Sequence, residues 1–291
     1  MSTLSWNCRG LGNPRARQFL ENIVVQKKPN FLFLCETLCR KDTIERLRIK
    51  LGFEGAYCVD VQGHKGGIAM LWRYSDGVRL LGFSNSHIDI EVVSLNLTPW
   101  RLTGFYGEPN RSLRFKSWQL ITTLSTESQL PWCIIGDINN VGNQNEKKGG
   151  RPYPSSLIEG FQHVLQSCDL VDMELKGHPY TWERGKGSEN WVEIRLDKAL
   201  VTHPWLDTFP NAVLTNGDVS SSDHTPIFLE PAPAISTVPV HLFRFENAWT
   251  REPICAQIFS ILLGFEYASA TSRKDQHMQQ TSWRLGEKLN L

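Results

Sequence analysis

A chain of 291 residues is long enough to bury a full core, and 41% hydrophobic against 21% charged residues excludes wholesale disorder. With 31 Lys and Arg against 30 Asp and Glu the net charge is +1, so any contact with a polyanion rests on local basic patches. Seven cysteines without C-x-x-C spacing read as reduced core residues of a nuclear or cytoplasmic protein. No apolar run reaches a membrane span, and Leu4-Ser5-Trp6 passing at once into Asn7, Cys8 and Arg9 predicts no secretion signal.

Strands and helices alternate along the first 230 residues. Thr3 to Asn7 reads as a strand, and Pro14 opens a helix with an apolar face at Phe19, Leu20, Ile23 and Val24. Phe31 to Cys35 is a buried strand ending at Glu36, and Asp42 is expected to cap a second helix running to Leu51. Short runs from Ala56 to Val61, Gly67 to Trp72, Val78 to Phe83, Ile88 to Leu95 and Leu102 to Tyr106 follow one another across Gly, Asn and Ser turns, the pattern of an antiparallel meander. A helix is expected from about Leu113 to Thr123, a buried strand from Trp132 to Gly136, and an Asn-, Gly- and Lys-rich loop from Asp137 to Pro154. Ser155 or Ser156 then caps a helix carrying Phe161 and Leu165. Strands are expected at Tyr180 to Trp182, Glu193 to Leu200 and Ile227 to Leu229. Residues 1–231 therefore form one domain. Residues 232–291 form a proline-marked linker and helical tail with too little apolar surface to fold alone.

Polar residues at the ends of apolar strand runs are the candidates for chemistry. Asn7, Glu36 and Tyr106 each end or follow such a run, and Asp137 and Asn139 follow Ile134-Ile135-Gly136. Asp197 lies in the run to Leu200, and Asp223 and His224 precede Ile227. In α/β sheets ligands gather at such edges. Carboxylate and amide oxygens suit Mg²⁺ or Mn²⁺, whereas the absence of Cys–His clusters and of H-E-x-x-H speaks against zinc. Singly these residues have ordinary readings: Glu36 as a solvated turn residue, Asp137 to Asn140 as an Asx-turn, Ser221 to His224 as a cap or turn. The other seven histidines read as surface or loop residues, and Cys35 and Cys39 as core.

The ordered set separates the two readings. Trp6-Asn7-Cys8-Arg9-Gly10-Leu11, Glu36-Thr37, Gly104-Phe105-Tyr106-Gly107, Gly136-Asp137-Ile138-Asn139, Arg195-Leu196-Asp197 and Ser222-Asp223-His224 occur in the order and rough spacing of one family. Over about residues 1–230 the chain resembles the endonuclease/exonuclease/phosphatase superfamily. Within it the chain is most similar to the endonuclease domain of plant LINE-type (non-LTR) retrotransposons, on Ser117-Trp118, Leu130-Pro131-Trp132, Glu146 to Gly150, Arg195 to Leu200 and Phe209 to Ala212. Phe243-Arg244-Phe245-Glu246 through Trp249 resembles the start of a connection to a reverse transcriptase. No Y-x-D-D motif follows, so a stand-alone or truncated copy is expected.

The resemblance implies a four-layer α-β-β-α sandwich of two mostly antiparallel sheets flanked by helices. It implies Glu36 as main metal ligand with Asn7 beside it and Asp223 nearby. Asp137 would orient or deprotonate the attacking water, Asn139 and His224 would contact the phosphate, Tyr106 would donate to the phosphorus centre, and Asp197 would hold His224. Ile138 stands where Phe is usual in that motif and Asn140 where Glu is frequent; Cys35 and His64 also depart from the pattern. The implied activity is Mg²⁺- or Mn²⁺-dependent nicking of DNA, with 3′-hydroxyl and 5′-phosphate ends. Lys147, Lys148, Arg151 and Arg195 are candidate DNA contacts, helped by Arg184 and Lys186, with no membrane or small-molecule cofactor. The alternatives are a phosphomonoesterase or inositol-phosphate-type phosphatase of the same fold, and an inactive copy or binding module.

Overall fold

The computed structural model describes residues 1–61, 66–94, 97–217 and 222–231. The linker and tail expected over residues 232–291, including the segment from Phe243 to Trp249, lie outside them, as does His64. The strands are β1 (Thr3–Asn7), β2 (Phe31–Cys35), β3 (Gly55–Val59), β4 (Ile68–Trp72), β5 (Val78–Phe83), β6 (His87–Ser94), β7 (Leu97–Tyr106) and β8 (Trp132–Asp137). They continue as β9 (Lys147–Lys148), β10 (Leu170–Asp172), β11 (Leu175–Lys176), β12 (Trp182–Arg184), β13 (Val192–Ile194), β14 (Asp197–Thr202), β15 (Val213–Asn216) and β16 (Ile227–Glu230). The helices are α1 (Pro14–Lys27), α2 (Lys41–Leu51), α3 (Phe115–Glu127), α4 (Ser155–Ser167) and α5 (His203–Thr208).

Seven strands form one sheet in the order β11-β15-β16-β1-β2-β4-β3, and six form a second in the order β10-β14-β8-β7-β6-β5. Most neighbours are antiparallel; β1 with β2, β11 with β15 and β7 with β8 are parallel. Alternate residues of each central strand explain the layering, because successive side chains point to opposite faces. Phe31, Phe33 and Cys35 meet Cys133 and Ile135 between the sheets. Leu32 and Leu34 turn outward to Leu20, Ile23 and Val24 of α1. Trp132 and Ile134 turn outward to Ile121 of α3 and Phe161 of α4. Burial on both faces is why these strands read as unbroken apolar runs. The result is the expected helix–sheet–sheet–helix sandwich, joined by a small third sheet, β12-β13-β9.

Several local expectations are corrected. The meander is divided: β3 and β4 pair in the first sheet and β5, β6 and β7 in the second, because hairpin periodicity fixes neighbours and not which layer they join. The run from Glu193 to Leu200 splits at Arg195-Leu196 into β13 and β14 of different sheets. The loop from Asp137 contains the strand β9. Asp42 lies inside the first turn of α2, whose N-cap is Arg40, and α4 starts at Ser155 behind Pro154. His87 is buried, with Nδ1 2.7 Å from Ser84 Oγ, and burial lowers its pKa. Cys8, Cys35, Cys39, Cys133 and Cys168 are buried free thiols.

Candidate active site

The parallel pairs bring the strand ends together. Asn7 ends β1 opposite Cys35, which hands the chain to Glu36; Tyr106 ends β7 opposite Asp137, which ends β8. β14 runs against β8 with Asp197 opposite Asp137. Asp223 and His224 precede β16, which runs against β1. Eight residues from six distant segments therefore converge on one rim spanning both sheets.

Asn7 joins the layers. Its Nδ2 donates to Glu36 Oε1 (2.9 Å) in the first sheet and to Asp137 Oδ2 (3.0 Å) in the second. Tyr106 donates its hydroxyl to the same Glu36 Oε1 (2.9 Å). Asn139 donates Nδ2 to Asp137 Oδ2 and its backbone N–H to Asp137 Oδ1, both at 3.0 Å. Its Nδ2 also reaches the Gly107 carbonyl. His224 Nδ1 lies 2.8 Å from Asp197 Oδ2 and Nε2 lies 3.8 Å from Asp137 Oδ2. Ligand atoms of Asp137, Asp197 and His224 fall within 4.8 Å of one another. The imidazole is thus flanked by two carboxylates.

The backbone is bent to aim these groups. Glu36 (φ 49°) and Asn139 (φ 56°) adopt left-handed conformations, as does Arg9 (φ 43°). Asn tolerates this region, whereas Glu and Arg enter it at a cost found at functional sites. Gly136, just before Asp137, has φ 151°, and a Cβ there would sit 2.0 Å from the Phe105 carbonyl oxygen. Thr181, fully buried, accepts the N–H groups of Leu196 and Asp197 on its hydroxyl and fixes the start of β14. Trp6 Nε1 donates to the His224 carbonyl, and Ser222 Oγ donates to that of Asn7.

Electrostatics follow from burial. Burial disfavours a charged imidazole, but the carboxylates of Asp197 and Asp137 outweigh it and raise His224 to about 9. Burial, with the carboxylates of Asp197 and Glu36, pushes Asp137 above the usual carboxylate range, while His224 and the Asn7 hydrogen bond pull it back. Burial, reinforced by the Glu36 carboxylate, likewise raises the Tyr106 phenol and keeps it a donor. Such an arrangement offers a base stronger than a free carboxylate beside a cationic imidazole.

Glu36, Asn7 and Asp223 present oxygens suited to a hard divalent cation. That the carboxylates are disposed to hold positive charge is visible in Arg9. Its guanidinium bonds Asp223 Oδ2 and stands 4.0 Å from Glu36 Oε2, while its backbone N–H donates to Asn7 Oδ1 (3.3 Å). Trp182 Nε1 also donates to Asp223 Oδ2 (2.8 Å). The donor set fits a divalent ion there.

Glu36, Asp137, Asn139, Asp223 and His224 line one open cleft of about 830 Å³. Arg111, Arg114, Tyr153 and Trp182 also line it, and nothing in their local sequence marks them as site residues. Of the expected DNA contacts, Arg151 is exposed, and Lys147 bonds the Gly149 carbonyl. Lys148 pairs with Glu193 (3.0 Å) and lies over Trp191. Arg195 is turned away from the cleft, onto Asp172 (2.7 Å), the Met173 carbonyl and Glu146. Asn140 is fully buried, accepting from Trp118 Nε1 (3.2 Å), and Ile138 packs in the core beneath α3 and α4.

Residues 4–224 match the model described as the Endonuclease/Exonuclease/phosphatase family. No curated protein matches the sequence. Among solved structures, the fold is similar to the endonuclease domain of TRAS1, a telomere-specific non-LTR retrotransposon (16% identity, TM-score 0.58, 79% of this chain and 97% of that one). It is also similar to a 3′ phosphatase from Neisseria bound to a product DNA hairpin (19%, 0.61, 79% and 98%) and to an AP endonuclease from Archaeoglobus fulgidus (17%, 0.60, 79% and 98%).

Proposed function

The chain belongs to the endonuclease/exonuclease/phosphatase family, and on that premise we propose that it is a divalent-metal-dependent, DNA-nicking endonuclease of the LINE retrotransposon type. The observation that carries the reading is the cluster around Asp137: a buried carboxylate fixed by Asn7 and Asn139, with the Asp197–His224 pair on one side and Glu36–Tyr106 on the other.

Asp137 takes the proton of a water held against it as the water oxygen bonds phosphorus. The bond from phosphorus to the 3′ oxygen breaks, that oxygen takes a proton from solvent and leaves as a hydroxyl, Asp137 returns to solvent the proton it accepted, and the phosphate stays on the 5′ side. Cationic His224 and the amide of Asn139 stabilise the negative charge gathering on the phosphate oxygens, and Tyr106 donates to the same centre. Asp197 keeps the imidazole oriented and charged. Glu36, with Asn7 and Asp223, would hold Mg²⁺ or Mn²⁺, which supplies further positive charge for the phosphate. Exposed Arg151, with Lys147 and Lys148 near it in sequence, would add salt-sensitive phosphate contacts.

The test is incubation with supercoiled plasmid in Mg²⁺ and then in EDTA, followed by polymerase extension without phosphatase treatment. Open circles that appear before linear DNA, need the metal and are extended directly are the expected result. Inorganic phosphate released without nicking would turn the reading to a phosphomonoesterase. No reaction on either substrate would make the chain an inactive copy.

A further inference from the structure

Arg114 is a buried cation without a counter-ion. It follows the short 3₁₀ turn Arg111–Leu113 and directly precedes α3, and its side chain is among the cleft-lining groups. It is 5% exposed, and its Nε and Nη1 are buried with no hydrogen-bond partner. Among the described residues it makes no ion pair. The other fully buried cations behave differently: Arg101 faces Asp89, and Lys198 faces both Glu146 and Asp172. An uncompensated buried charge is costly, so natural structures pair it. What Arg114 does contact is the Tyr153 ring, 5.4 Å from its guanidinium carbon, with Arg111 over the same ring at 5.2 Å. Stacking on an aromatic face leaves the planar fork of N–H groups free, the geometry that binds phosphate oxygens in pairs. Burial, with the Arg111 charge beside it, outweighs the more distant carboxylates of Asp137 and Glu108 and lowers Arg114 to about 10, so it is still cationic at neutral pH.

We propose that Arg114, with Arg111 on the same Tyr153 ring, forms a second phosphate subsite in the cleft, taking a backbone phosphate next to the one that is cut. This rests on the reading of the cleft as a phosphodiesterase site and sharpens it. A cleft holding two phosphates at once selects a polynucleotide over a monoester. The ligand supplies the direct ion pair that the protein does not, so the cost of burying Arg114, eased in the free protein only by the Tyr153 ring and the fields of Asp137 and Glu108, is offset more fully when substrate is in place.

Arg114→Met keeps the length and apolar stem and removes the charge. Its first readout is thermal unfolding of the free protein. Because Arg114 has no ion pair to lose and methionine can still pack on the Tyr153 ring, the variant is expected to unfold at the same or a higher temperature than the parent. A clear drop would make Arg114 a structural residue and overturn the proposal. Its second readout is binding of a fluorescein-labelled DNA duplex in EDTA, where nothing is cut. Affinity is expected to fall roughly tenfold to hundredfold, the range of a lost charged hydrogen-bond pair. The slope of log affinity against log salt should shrink by about one ion. Arg114→Lys, which keeps charge without the fork, should recover only part of the affinity.

The third readout is a duplex carrying one neutral methylphosphonate beside the scissile bond. The parent should lose affinity at one such position and Arg114→Met should be indifferent to it. An unchanged duplex affinity in Arg114→Met, or equal sensitivity of both proteins to every methylphosphonate, would refute the subsite even if nicking is normal. If instead pyrophosphate or inositol hexakisphosphate loses binding in the variant while duplex does not, the subsite serves a small polyphosphate and the proposal fails. Normal Arg114-dependent duplex binding with no nicking would fail the catalytic reading and leave the subsite standing.

Discussion

Replacing Asp197 by Asn keeps the shape beside His224 and removes only the charge. His224 stands at about 9 against an ordinary 6.5. That gap corresponds to about 3 kcal/mol of preference for the cation, at about 1.4 kcal/mol per pH unit. Burial acts in the opposite direction while Asp137 and Asp223 also favour the cation, so without Asp197 the imidazole should titrate well below about 9, held up only by the remaining carboxylates. The sign for stability follows from the raised folded pKa. The contribution is fully present below a pH of about 6.5 and is lost as pH rises through about 9. The unfolding free energy of Asp197→Asn should therefore fall short of the parent by about 3 kcal/mol near pH 6, and the deficit should close above a pH of about 9. Calorimetry across that range measures the deficit, NMR titration of the His224 ring reads its pKa directly, and the basic limb of the nicking profile should move to lower pH. A melting deficit constant from pH 6 to 10, with an unmoved ring titration, would refute the pairing as the source of the imidazole's charge.

Other residues give sharp outcomes. Glu36→Gln should raise the Mg²⁺ concentration needed for half-maximal nicking, and weaken metal-induced thermal stabilisation, because a charged hard-oxygen ligand is lost. Asp137→Asn and His224→Ala should each lower the nicking rate by on the order of 10²–10⁴ while the circular dichroism spectrum is retained. Lys198→Met should unfold at lower denaturant by about 3–5 kcal/mol, since Glu146 and Asp172 would lose the cation buried between them. A chain ending at Pro233 should keep both its melting temperature and its nicking rate, because every assigned group and every strand of the two sheets lies before it.

The fold was legible where burial leaves a local mark. Phe31 to Cys35 and Trp132 to Ile135 are apolar on both faces because both faces are covered, and their polar successors, Glu36 and Asp137, stand where the strands run out into the cleft. The site residues were visible for the same reason. What local pattern does not carry is the choice of sheet, so an antiparallel meander in sequence can divide between two layers, as β3–β4 and β5–β7 do. Nor could it show the break at Arg195-Leu196, where Ile194 and Leu196 are both buried and the alternation runs on. The roles of Arg9, Thr181 and Trp182 are not legible in the sequence because they depend on partners outside their own segments: Arg9 and Trp182 meet at Asp223, 214 and 41 residues away. Arg114 looks like one more solvated charge in Asn110-Arg111-Ser112-Leu113-Arg114, and only the ring of Tyr153 reveals otherwise. Arg195 erred the other way, a charge in a basic context that folding directs inward.

The order in which the strands leave the ribosome bears on when this site exists. β1, the first of the described strands, is completed on one side by β2 but on the other by β16, the last of them, and Trp6 in β1 bonds the carbonyl of His224, 218 residues later. Until that segment emerges, β1 has an unpaired edge, β15 lacks one of its two neighbours, and Asp197 has no imidazole to hold. Closure by such distant pairings is slow, and the open edge is an invitation to mispairing in the interim. A nascent chain that ends before His224 thus carries most of the described strands but lacks the imidazole that Asp197 holds. Synthesis itself acts as a timer, and a chain interrupted before His224 would be inert, with an exposed strand that makes it a substrate for chaperones and proteases.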